Sequence, residues 1–285
     1  MTKKIAIIND LSGFGRCSLT AAISVTAAMG VQPCPLPTAV LSAQTGYPSY
    51  YCDDYTDKME YFRLEWEKMQ VCFDGIYTGF VASEAQIHHI FRFIETFYKK
   101  DTFLIVDPVM GDNGHTYAMF TDGLLRQMRK LAAKADIITP NLTELCLLTG
   151  ADYNTFSGTD DPAILTDIIG KAGKEFCKEG PEKIIVTGIC HTDENGTDMM
   201  GNLYITEEEC ILSSFPHIGG SYSGTGDLFA SCLAAGIARG DAIPDIIEMA
   251  GGFLERSLAD SVKEQIPRND GVNYEQYLSM LIRKK

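Results

Sequence analysis

The stretch Gly219-Gly220-Ser221-Tyr222-Ser223-Gly224-Thr225-Gly226-Asp227 limits what this chain can become more than any other. It is dominated by Gly and Ser. It leads into Leu228 to Arg239, almost wholly small or apolar, with Gly240 behind it as a stop. That pattern is a turn opening into a buried helix. The first N–H groups of a helix have no partner within it, and the helix dipole adds partial positive charge there. Glycines keep side chains away from those groups, so the turn is a candidate anion site. Asp227 stands among the donors. A carboxylate has little use where only an anion binds, but a clear one if a group beside the anion must lose a proton.

The remaining chain alternates strand and helix patterns. Residues 4–9 are an apolar run of the kind found in central parallel strands, covered on both faces. Asp10 to Gly15 reads as a tight turn, and Ser18 as the N-cap of a helix to about Met29, closed by Gly30. Three prolines between Gln32 and Ser42 place a strand only after them, at residues 38–42. Further strands are expected at 73–80, 102–106, 136–139 and 183–187, with an antiparallel pair at 199–205 and 210–214. Helices are expected at 54–70, 83–99, 121–134, 140–150, 159–177, 223–239, 244–260 and 274–283. This order implies an α/β fold, a mostly parallel, doubly wound sheet with helices on both faces and a small antiparallel edge. No repeat, low-complexity segment or linker interrupts it, so residues 1–285 are read as a single domain.

Composition narrows the function classes. A net charge of −14 without any basic cluster argues against a nucleic-acid partner. No run approaches membrane-spanning length, and the apolar run behind Lys3-Lys4 ends at Asn9-Asp10, too short for a secretion signal. Nine scattered cysteines without a C-x-x-C pair or Cys/His spacing fit free thiols in a reducing cytoplasm. Gly13-Phe14-Gly15-Arg16-Cys17-Ser18 nearly matches the dinucleotide fingerprint, with Ser in the third glycine's place. The acid expected about twenty residues on is missing, because no Asp or Glu lies between Asp10 and Asp53.

Four features fall at carboxyl ends of expected strands or at helix starts: Asp10 to Gly15, Asp107 to Asp112, Asn141 with Glu144, and Gly224 to Asp227. In a doubly wound sheet such ends share one edge and can converge on one crevice. Asn141 and Glu144, three apart at a helix start, can reach a hydrated Mg²⁺. Glu144 also fits a plain helix-start acid, and Asp107 and Asp112 fit a turn-forming pair. The aromatic cluster Tyr47, Tyr50, Tyr51, Tyr55 reads either as an ordinary loop or as a substrate flap. An anion site with a base beside it, plus acids for a metal, suggests phosphoryl transfer, although no Walker A or protein-kinase pattern is present.

Ser223-Gly224-Thr225-Gly226-Asp227 resembles the anion-hole and base signature of the ribokinase-like superfamily. Asp107-Pro108-Val109-Met110-Gly111-Asp112 and Thr139-Pro140-Asn141-Leu142-Thr143-Glu144 resemble its vitamin-kinase branch, and within it the chain is most similar to pyridoxal (pyridoxine, pyridoxamine) kinases. The motifs run from residue 5 to about 239. The resemblance implies a three-layer α/β/α fold and ATP-dependent phosphorylation of the 5′-hydroxyl of a B6 vitamer, in a cytoplasmic homodimer. It makes Asp227 the general base and gives the transferring phosphate the N–H donors of Gly224, Thr225 and Gly226. It assigns Asp107, Asn141 and Glu144 to Mg²⁺ and its waters, and to a monovalent cation such as K⁺. It puts Thr187 and Thr225 near ATP, and Asp10, Ser12, Thr45 and Phe80 on the substrate side.

Two departures bear on the substrate. Many pyridoxal kinases carry Ser in place of Asp10 and Tyr in place of Phe80, and Asp10-Leu11-Ser12-Gly13 is similar to the start of hydroxymethylpyrimidine kinases. That branch in turn usually has Cys in the place of Asp227. The alternatives are thus a hydroxymethylpyrimidine (phosphate) kinase and, in another class, a non-catalytic B6-binding protein. The absence of a sizeable lid segment lowers sugars as substrates. A nicotinamide-dependent reductase lacks its ribose acid.

Overall fold

A computed structural model describes residues 2–283. The chain begins with β1 (Lys4–Ser12), α1 (Ser18–Ala28), β2 (Gln32–Leu41), β3 (Cys52–Asp54), α2 (Thr56–Lys68), β4 (Gly75–Thr78), α3 (Glu84–Phe97) and β5 (Phe103–Val106). It continues with β6 (Gly111–Asp112), β7 (His115–Thr116), α4 (Asp122–Lys134), β8 (Ile137–Ile138), α5 (Leu142–Thr149), α6 (Tyr153–Ser157) and α7 (Pro162–Cys177). β9 (Lys183–Thr192), β10 (Asp198–Ile205), β11 (Cys210–Pro216), α8 (Thr225–Arg239) and α9 (Ile243–Lys263) follow, and then two 3₁₀ turns, Arg268–Asp270 and Glu275–Leu281. The last of these stands where the sequence suggested a helix.

The chain forms two compact units, one up to Leu104 and again from Ile218, the other from Ile105 to His217. β5 contributes its first half to the one and its second half to the other. In the first unit the strand order is β5-β4-β1-β2-β3. Ile5, Ile7 and Ile8 are fully buried in β1. Neighbouring residues of a strand point to opposite faces, so both faces are covered, as the apolar run implies. α8 packs on both α1 and α9, and α1 and α8 pack on β1, while α2 and α3 pack together and, through α2, on β2. Trp66, Phe73, Phe93 and Phe97 join ring to ring between α2, α3 and the start of β4.

β2 runs through all three prolines, against the expectation of a strand starting behind them. The reason lies in alternation. The N–H of Gln32 donates to Lys3 on the β1 side, so Pro33, Pro35 and Pro37 turn their nitrogens the other way. On that side β3 pairs only with Ala39 to Leu41. The missing donors therefore fall where no ladder bond is needed. β1 likewise continues to Ser12, so Asp10 and Ser12 belong to the strand rather than to a turn. Ser18 is the first helical residue instead of the cap. Cys17 occupies the cap position without a side-chain bond.

In the second unit the order is β11-β10-β9-β8-β5, with β5, β8 and β9 parallel and β9, β10 and β11 antiparallel. Asn113 (φ +51°) and Gly114 (φ +77°) form the two-residue turn of the β6–β7 hairpin. Left-handed conformation at both central positions is what an Asn-Gly hairpin turn requires. Ser83 and Thr121, the first residues of two helices expected from the sequence, serve as their caps, each side chain accepting an N–H of the first turn. No helix among the described residues is long and apolar enough to cross a membrane.

Gly75 opens β4 under the ring of Phe103, and a Cβ there would lie 2.2 Å from Cζ. Gly75→Ala is expected to destabilise the protein by about 1–3 kcal/mol through overpacking. Gly75→Ala with Phe103→Leu should recover most of the loss, as read from urea unfolding midpoints.

Candidate active site

The N-terminus of α8 is built by a backbone contact. Gly224 caps the helix at φ +85°, and a Cβ there would stand 2.0 Å from the carbonyl oxygen of Arg16. Only glycine meets both demands. The turn is thereby pressed onto the Arg16–Cys17 backbone at the start of α1. Thr225, Gly226 and Asp227 are the first residues of α8, so their N–H groups have no acceptor within the helix. Gly226 is exposed, and no atom lies within 4 Å of where its Cβ would be. The cradle face is open, as an anion site requires.

Asp227 sits half-buried at the third position of α8. Its carboxylate accepts from Nδ2 of Asn9 at 3.0 Å and from the backbone N–H of Ser18. Burial pushes its pKa up to about 6, and the charge of Asp10 adds to the rise. The Ser18 N–H and the Asn9 amide hold it down. The donating N–H belongs to a residue in an uncommon conformation, since Ser18 has φ +49° while nearly fully buried. Asp10 is buried at the end of β1, and its Oδ2 accepts from Ser12 Oγ at 2.8 Å. Residues i and i+2 of a strand share a face, which explains the pair. Burial raises Asp10 as well, while Ser18 and Ser12 hydroxyls oppose the rise.

Of the other substrate-side candidates, Phe80 donates its backbone N–H to Asn9 Oδ1 at 2.9 Å and leaves its ring half-buried. Thr45 is exposed. Its neighbour Gln44 is buried, donating to the Asn269 carbonyl at 3.1 Å and to Ser223 Oγ at 3.3 Å. Asn269 returns a bond to the Gly46 carbonyl at 2.7 Å, and the Tyr47 hydroxyl donates to Asp270. The aromatic loop is thus tied to the turn at Arg268–Asp270, and the Tyr47 and Phe14 rings lie 5.6 Å apart. Sequence reasoning did not place Asn9, Gln44 and Asn269 in the site, and it singled out Ser18 only as a helix cap. Only Asn9 carried a local signal, as the polar end of a wholly apolar central strand, where open α/β sheets place ligand contacts.

The second unit gathers Asp107, Asn141, Glu144 and Thr187. Asp107, at the end of β5, accepts from Thr139 Oγ1 at 3.1 Å. Asn141 and Glu144 form a complete capping box, with Asn141 Oδ1 accepting from the Glu144 N–H at 3.0 Å and Glu144 Oε2 accepting from the Asn141 N–H at 2.8 Å. Glu144 Oε1 also accepts from Met110 N–H at 3.1 Å, and Asn141 Nδ2 donates to the Gly111 carbonyl at 2.9 Å. Glu144 therefore serves as the helix-start acid. Burial, and then the charge of Asp107, hold its carboxyl well above the usual range. Thr187 donates its N–H to the Pro140 carbonyl beside this helix start. Asp112 is spent on Asn113, whose N–H and side-chain amide it accepts, in the hairpin turn.

No cluster of three or more His, Cys, Asp or Glu side chains suited to a metal exists among the described residues. Mg²⁺ does not need one, because it is commonly held by one or two carboxylates and completes its shell with water and phosphate oxygens. Two hard oxygen donors, one of which raises the proton affinity of the other, fit such a cation, whose charge would relieve the repulsion.

Residues 15–270 match the family model described as phosphomethylpyrimidine kinase. A crystal structure from Bacteroides thetaiotaomicron, described provisionally as a phosphomethylpyrimidine kinase and obtained with pyridoxal, is similar at a TM-score of 0.90 and 34% identity, covering 99% of this chain and 96% of that one. A pyridoxine/pyridoxal/pyridoxamine kinase of Bordetella avium is 26% identical over 270 residues, 90% of this chain and 86% of the relative. A hydroxymethylpyrimidine/phosphomethylpyrimidine kinase of Bacillus subtilis is 27% identical over 193 residues, 66% and 65% of the two chains. The structural likeness establishes the expected architecture, three α/β/α layers around a mostly parallel sheet with a small antiparallel edge.

Glu144 yields a prediction. Its folded pKa lies above its unfolded value, so its contribution to stability is complete below pH about 4.5 and is lost as pH rises through the folded value. Between those limits the stability difference between wild type and Glu144→Gln should shrink with pH by up to about 1.4 kcal/mol per unit. Urea unfolding from pH 5 to 8 measures it.

Proposed function

We propose that this chain, which belongs to the phosphomethylpyrimidine kinase family and with it to the ribokinase-like superfamily, phosphorylates a hydroxymethyl group carried by a flat nitrogen heterocycle. Membership makes the chain an ATP-dependent kinase of a small hydroxylated metabolite. The observation that carries transfer to a hydroxyl is Asp227, a carboxylate tuned to about 6 directly beside open helix N–H groups, and the heterocycle is supported by the relatives. A base with a pKa near the working pH combines a useful ionised fraction with proton affinity.

In this reading the substrate hydroxyl loses its proton to Asp227 as its oxygen bonds to the γ-phosphorus and the bond to the leaving ADP oxygen breaks. The N–H groups of Thr225 and Gly226, with the Gly224 turn, meet the charge on the transferring oxygens. Asp10, Ser12, Thr45 and Phe80 serve the substrate. Asp107 and Glu144 would hold Mg²⁺ directly or through its waters, with Asn141 and Thr187 on the nucleotide side. When bound, the cation supplies charge neutralisation at the phosphates. Glu144 keeps its capping role throughout. A cytoplasmic homodimer belongs to the same proposal.

Two heterocycles meet this description. The family model's description, the Bacteroides protein's provisional name and the Bacillus relative favour hydroxymethylpyrimidine or its phosphate, and Asp10-Leu11-Ser12-Gly13 agrees with them. A B6 vitamer is supported by the pyridoxal in the Bacteroides crystal, by the Bordetella relative and by Asp227 in place of Cys. An ADP-release panel separates the two. It takes pyridoxal, pyridoxamine, pyridoxine, hydroxymethylpyrimidine, its phosphate and ribose, each with and without Mg²⁺ and K⁺. Turnover on the heterocycles and not on ribose is expected. Turnover on ribose alone would remove the heterocycle reading.

Asp227→Asn should lower kcat by at least about 10²-fold with nucleotide affinity retained. In the wild type the base works ionised, so kcat/KM should fall about tenfold per unit as pH drops below about 6. An unchanged kcat in the variant would take the base role from Asp227.

A further inference from the structure

The amide of Asn9 is completely buried, and it is seated by backbone on one side and by a glycine on another. Its Oδ1 accepts the N–H groups of Asp10 and Phe80, both at 2.9 Å, and so joins the ends of β1 and β4. An amide oxygen fixed by two N–H donors leaves the nitrogen no choice of direction. Nδ2 therefore faces Asp227, and donates to it at 3.0 Å. Room for this arrangement depends on residue 79. A Cβ on Gly79 would stand 2.4 Å from Nδ2 and 2.7 Å from Cγ of Asn9. The φ of Gly79 lies outside the left-handed region, so the backbone there does not require glycine. What the position requires is the missing side chain.

We propose that Asn9, seated by Gly79, is the positioning residue of Asp227, fixing the carboxylate's orientation and favouring its ionised form. The inference rests on the reading of Asp227 as the base. Asn9 acts through Asp227 and is assigned no contact with substrate. Aspartate cannot replace it. An Asp at position 9 keeps the two backbone bonds through one oxygen but turns a second, charged oxygen toward Asp227 where the donor was. Two carboxylates sharing one site cannot ionise independently, and one of them is driven toward its protonated form. Alanine at position 79 attacks the same contact from outside, by pushing Nδ2 off its line without touching either carboxylate.

The test is the pH dependence of kcat/KM for wild type, Asn9→Asp and Gly79→Ala, with Tm and nucleotide affinity as controls. In Asn9→Asp the acid limb should move up by at least about one unit, so that kcat/KM at pH 6 falls by about tenfold or more relative to its own plateau. Gly79→Ala should move the limb the same way, and it decides the matter alone if Asn9→Asp does not fold or has no measurable turnover. A purely structural role would lower Tm or the plateau rate and leave the limb in place, and that result would overturn the inference. Asp227→Asn separates the two levels. Full turnover in that variant overturns both the base assignment and the positioning role. A dead Asp227→Asn together with an unmoved limb in Gly79→Ala overturns the positioning role alone.

Discussion

The chemistry of the first unit hangs on one backbone-to-backbone contact, that of Gly224 with the Arg16 carbonyl. A side chain at 224 would have to occupy the position of that oxygen. Because it is glycine, the start of α8 can lie directly on the start of α1. From that approach follow the Ser18 N–H on the Asp227 carboxylate and the proximity of Asp10, whose charge raises it. The left-handed turn at Gly224 also leads directly into the first N–H groups of α8, with the exposed, unsubstituted Gly226 among them. Cradle and base are thus consequences of a single packing event.

The two units hold their buried acids by the same means. Asp227 is given two donors, and its pKa settles at about 6, within reach of a proton-transfer cycle. Glu144 is given backbone donors too, and burial with the charge of Asp107 holds its carboxyl well above the usual range. Desolvation opposes ionisation in both cases, and the number of nearby like charges and donors decides how far. The complete capping box at Asn141 and Glu144 shows that a residue can anchor a helix start and carry a perturbed carboxyl at once. The two readings of Glu144 in the sequence were never exclusive.

Much of the architecture was legible because its signals are local. The central strand at Ile5 to Ile8, the caps at Ser83 and Thr121, the capping box and the antiparallel pair of β10 and β11 are all written within a few residues of one another. Misreadings arose where a partner strand, distant in sequence, changed the meaning of a local pattern. The three prolines of β2 are harmless only because β3 stops short of them. Asp10 to Ser12 stays in the strand because β2 continues alongside, pairing Leu11 with Val40 and Ser12 with Leu41. The Asn113-Gly114 turn is a local signal too, since left-handed conformation at both positions is a preference of that pair.

By itself, the sequence determined the apolar helix behind a glycine turn, the acid at its third position, the helix start at Asn141 and the alternation of the main strands and helices. These depend on periods of two and 3.6 residues and on caps three residues apart, which neighbouring residues enforce. The tertiary structure alone decided what holds that acid. Asn9 and Asp227 lie 218 positions apart and meet at 3.0 Å. Gly79, which makes room for them, is remote from both in the chain. No local preference encodes such a meeting, because it depends on where the ends of β1 and β4 arrive relative to α8, and packing sets that.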